Sequence, residues 1–84
     1  MAKNHQGFGV LSAKGEALGQ VRYDLDEIVC GRLLKGMISG NGLMIARAKE
    51  IGSVVLQQDR GPALSIAIVG ICAPGVGEVV AEVV

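Results

Sequence analysis

The densest mixed-charge stripe in the chain is Arg22-Tyr23-Asp24-Leu25-Asp26-Glu27. On a strand, Asp24 and Asp26 share one face about 7 Å apart, because successive side chains alternate between faces. Two carboxylates so placed are candidates for a cation site or for paired acid and base work. Arg22 falls on the same face, so Arg22, Asp24 and Asp26 together form the candidate polar contact surface. No further acids follow with calcium-loop spacing, and the loop glycine pattern is missing. The plain alternative is a solvated strand face whose ion pairs contribute little.

Other chemistries find less support. Gly75-Val76-Gly77-Glu78-Val79-Val80 has two glycines of a dinucleotide fingerprint but Val80 in place of the third, and it precedes a strand pattern rather than a helix. Gly36 to Gly42 lacks the Gly-Lys-Ser/Thr ending of a phosphate loop. The one histidine, His5, falls in what reads as a mobile tail over residues 1–6. Cys30 and Cys72 form neither a CxxC pair nor, with one histidine, a four-ligand zinc site. Both sit in apolar contexts and read as small buried hydrophobes. No serine sits in a Gly-x-Ser-x-Gly elbow. The sequence therefore assigns no catalytic residue, no metal and no cofactor.

Charge and composition narrow the partners. Eight basic residues balance eight acidic ones, so no net field draws the chain toward phosphate backbones or anionic membranes. Arg22, Arg32, Lys35, Arg47 and Lys49 can make a basic side, but base stacking needs aromatic platforms, and Phe8 and Tyr23 are the only aromatics. Nucleic acid is disfavoured on that ground. The longest uncharged run, Gly61 to Gly77, holds two prolines and four glycines, and it is shorter than the roughly 18 apolar residues of a spanning helix. A cytoplasmic setting without membrane contact is the expectation, and a reducing compartment would leave the two thiols unpaired.

The elements that must position these groups are mostly strands. Half of the residues are hydrophobic, which excludes a disordered chain and predicts one domain over residues 1–84. Gly7 to Ser12 reads as a strand, Ala13-Lys14-Gly15 as a turn, and Glu16 onward as a second strand. In it Val21, Tyr23 and Leu25 alternate with Arg22, Asp24 and Asp26, which puts one face on the core and the other in water. Arg32 to Ser39 gives a third strand. Asn41 can cap, and Gly52 can end, a short helix over 43–51 with Met44, Ala48 and Ile51 on one face. Weak alternation over Ile45 to Lys49 keeps a strand open there.

Ser53 to Gln58, Ala63 to Val69 and Glu78 to Val84 supply the remaining strands, separated by turns at Asp59-Arg60-Gly61-Pro62 and Pro74-Gly75-Val76-Gly77. The fold class is thus mainly β: a small antiparallel barrel or half-barrel of about six strands with one short helix covering an open end, since closure removes edges that would recruit other chains.

More apolar surface is present than one small core uses, notably in the uncharged run from Ala63 to Cys72. That predicts a non-enzymatic binding or assembly module, most simply a homodimer of isologous two-fold symmetry. The alternative is a small-molecule pocket protein or minor enzyme with its site at the barrel mouth under the helix. An unidentified protein or small molecule is the remaining partner expected.

Overall fold

A computed structural model describes residues 4–29, 32–59 and 61–83. Six strands and one helix follow in the order β1 (Asn4–Ala13), β2 (Glu16–Val29), β3 (Leu33–Ser39), α1 (Gly42–Ile51), β4 (Ser53–Gln58), β5 (Leu64–Ala73) and β6 (Val76–Val83). All pairings are antiparallel, and the sheet closes on itself in the order β1-β2-β3-β6-β5-β4. The seams that complete the circle join β1 to β4 and β3 to β6.

Local chemistry explains the hairpins. Lys14 and Gly15 turn with φ of 53° and 79°, the doubly positive geometry whose twist suits a two-residue hairpin loop. Along β2 the expected alternation holds: Val21, Tyr23 and Leu25 are buried while Arg22, Asp24 and Asp26 are exposed. Gly36 on β3 lies opposite Leu25, and a Cβ there would overlap the backbone carbonyl oxygen of Asp24. Only glycine lets β2 and β3 approach so closely, which tightens the curve needed for closure.

The interior is filled by small aliphatic groups from every strand, with Leu11, Leu25, Ile38, Leu56 and Val79 fully buried. Each contributes about 1.5–3 kcal/mol by leaving water. One end is closed by α1. Asn41 Oδ1 accepts from the N–H groups of Leu43 (2.9 Å) and Met44 (3.2 Å), and the Gly52 N–H donates to the Ala48 carbonyl at 3.1 Å. The two caps fix the helix length. Its core-facing residues are Ile45 and Ala48, both fully buried. The predicted face of Met44, Ala48 and Ile51 is therefore rotated: Met44 is half-buried and Ile51 exposed, because the helix lies across the barrel end and drives Ile45 toward Gly77 of β6.

Several boundaries differ from the expectation. Residues 4–6, read as part of a mobile tail, belong to β1 and pair with Asp24 to Asp26 of β2. Strand β5 runs on to Ala73 rather than stopping at Val69, and two register shifts against β6 let it continue. In that segment Cys72 is exposed with a free thiol, not buried, since it lies beyond the stretch where β4 covers β5. Cys30 lies outside the described residues.

Candidate functional site

Inward and outward residues of β1 and β2 build two different places. The inward set gathers at the end of the barrel away from α1. The Tyr23 hydroxyl, on a side chain 2% exposed, donates to Asp59 Oδ1 at 2.7 Å, and the Asp59 N–H donates to the Phe8 carbonyl at 3.1 Å. Next to Asp59, Gln58 is buried and its Nε2 donates to the Pro62 carbonyl at 2.6 Å. Burial, with the hydrogen bond and negative charge of Asp59 added, pushes the Tyr23 phenol from 10.0 up to about 12, since each cause disfavours the phenolate. His5 Nε2 stands 3.8 Å from Glu27 Oε1. The two Asp59 contacts latch the β4–β5 connection onto β1 and β2, the Gln58 contact closes that connection on itself, and His5 and Glu27 face each other across the β1–β2 pair.

Sequence reading missed this cluster because Tyr23 and Asp59 are 36 residues apart and meet only through the β1–β4 seam. Alternation did carry one usable signal, since Glu27 follows the inward phase of Tyr23 and Leu25.

The outward set contains the three sequence candidates, and all of them are exposed. Register places Arg22 across from Phe8, Asp24 across from Gln6 and Asp26 across from Asn4. Asn4 Nδ2 donates to Asp24 Oδ1 at 2.7 Å and to Asp26 Oδ1 at 2.8 Å. One amide thus clamps both carboxylates, which accept from it. No ion pair joins Arg22 to either acid. Beside it Phe8 is 54% exposed and Val10 is 40% exposed. Phe8 was not singled out by sequence reading, although the alternation through Gly7, Gly9 and Leu11 puts it outside.

On the adjoining wall, Ile28 (55% exposed) and Met37 (44% exposed) line a groove of about 390 Å³ with Asp26, Lys35, Gly36 and Glu78. A second groove of about 240 Å³ runs beside α1 between Leu43, Met44, Arg47 and the start of β2. At the end of the barrel that the helix covers, Ile45 and Ala48 are fully buried.

Among the described residues no group of three or more His, Cys, Asp or Glu side chains is arranged to hold a metal ion, and no helix is long and apolar enough to cross a membrane. The fold and surface define a closed six-stranded antiparallel barrel with one capping helix and an amphipathic outer wall. No protein-family model, curated protein or solved structure matches the chain.

Proposed function

We propose that the protein is a non-enzymatic assembly module that binds a second copy of itself as a homodimer. The observation that supports this is the outer wall. Phe8, Val10, Ile28 and Met37 remain exposed on β1, β2 and β3, although the interior already holds a complete core. A closed barrel has no need of apolar residues outside, and exposed apolar surface edged by polar groups marks an interaction site. Aromatic anchors dominate such contacts, and Phe8 is half of the chain's aromatic content. A lone exposed aromatic makes a poor platform for stacking successive bases, so nucleic acid is not the partner in this reading. A reducing, cytoplasmic compartment suits the exposed thiol of Cys72.

Sedimentation velocity on the reduced protein at micromolar concentration tests the reading. Twice the 8.6 kDa chain mass is expected, and a strict monomer throughout the range overturns it.

A second reading, a small-molecule binder, is favoured by the groove of about 390 Å³ that includes Asp26, a size within the range of ligand sites. It predicts that a compound found by thermal shift loses its effect in Met37→Glu, while the dimer reading predicts no dependence on added ligand.

A further inference from the structure

We propose that the second copy docks on the outer wall of β1 and β2 about a two-fold axis crossing the strands between the Arg22 and Asp24 rows. Arg22 of each copy then faces the partner's Asp24. This inference rests on the self-association proposed above and names its contact.

The charge order along β2 is the first support. Its outward residues from 20 to 26 read neutral, positive, negative, negative: Gln20, Arg22, Asp24, Asp26. The outward residues of β1 opposite them, Asn4, Gln6, Phe8 and Val10, carry no charge. An isologous contact brings residue i against j and j against i. Reversing the strand direction about a point between Arg22 and Asp24 therefore lays positive on negative twice. Centring the axis on Asp24 itself would oppose like charges.

The state of these side chains within one chain is the second support. Among the described residues Arg22 has no ion-pair partner, while Asn4 donates to both Asp24 and Asp26. An amide uses two donors there and leaves further acceptor sites on each carboxylate. Lys35 stands across from Asp26 and Met37 across from Asp24, so Asp24 is the acid that a guanidinium from outside meets with no cation beside it in its own row.

Phe8 is the third. It lies beside Arg22 in the same cross-strand row at 54% exposure, so the two-fold sets one Phe8 on each side of the axis, packed against the partner's Gln6. Aromatic and arginine residues are the usual anchors of an interface, and opposed charges fix its register. Aligned sheets cross at about 30°, so two convex walls touch chiefly in these two rows. The distal part of β5 offers exposed Val69 and Ile71 but no charge to set a register.

The test is a charge exchange, read by native mass spectrometry and sedimentation with isotopically distinct copies. Arg22→Asp should weaken association ~100-fold, because like charges then meet twice. The double variant Arg22→Asp/Asp24→Arg should dimerise again with itself, yet form no mixed dimer with the wild-type chain. Thermal melting confirms that each variant folds, as both positions lie outside the core. A wild-type monomer overturns self-association as a whole. A wild-type dimer that survives Arg22→Asp overturns this face alone. A double variant that stays monomeric, or mixes freely with wild type, overturns the Arg22–Asp24 register.

Discussion

The two faces of β2 draw on the same backbone and do opposite work. Inward, Val21, Tyr23 and Leu25 are at most 2% exposed and join a core that every strand shares. Outward, Arg22, Asp24 and Asp26 are exposed, and Asn4 holds the two acids. A period of two lets one strand specify the fold on one side and leave the other free to specify a partner. The difference predicts that substitutions on the inner face change stability and that those on the outer face change association.

The largest expected effect is on the inside. Leu25→Ala should lower unfolding free energy by about 2–5 kcal/mol, the usual loss for a buried leucine that leaves a cavity, and chemical denaturation measures it. A loss under 0.5 kcal/mol would mean the inner face is not a packed core. Gly36→Ala should come next, at about 1–3 kcal/mol, because the added methyl overlaps the Asp24 carbonyl across the β2–β3 pair. The same denaturation series reads it, and a neutral result would contradict the close approach of these strands.

Tyr23→Phe removes the hydroxyl that donates to Asp59 and should cost about 1–3 kcal/mol at neutral pH, since a charged acceptor is left with one partner fewer. Its pH dependence has a definite sign. The folded phenol titrates at about 12 against 10.0, so the fold prefers the neutral form. That contribution is complete below pH 10 and is lost as pH rises from 10 toward 12, at up to about 1.4 kcal/mol per pH unit. Melts across this window should show the loss in wild type, and the Phe variant should lack that component.

The smallest effect on stability belongs outside. Phe8→Ser should shift unfolding free energy by no more than about 0.5 kcal/mol, as surface substitutions do, and yet reduce the fraction of dimer seen by sedimentation. A large destabilisation with unchanged association would reverse the comparison between the faces.

Most of the architecture was legible because it rests on local pattern. The alternation from Val21 to Asp26 gave β2 and its two faces. Asn41 and Gly52 bracketed α1 through their capping chemistry. What escaped depends on closure. Residues 4–6 are polar and carry no apolar alternation, so only pairing with β2 reveals them as strand. Cys72 looks buried among Ile71 and Ala73, yet the register shifts of β5 carry it past the cover of β4. The turn of α1 toward Ile45 is set by Gly77, which lies 32 positions further along the chain. Of the candidate surface, the charged half was visible in the spacing of Arg22, Asp24 and Asp26. Its apolar half, Phe8, and the Asn4 clamp required the β1–β2 register.

Amide chemical shifts followed on dilution test the central claim most directly, because they report on both exposed apolar regions of the intact chain at once. The account predicts concentration-dependent shifts clustered at Phe8, Arg22 and Asp24, with the amides of Val69 to Ala73 unchanged. Shifts confined to Val69–Ala73, or none at any concentration, would contradict it.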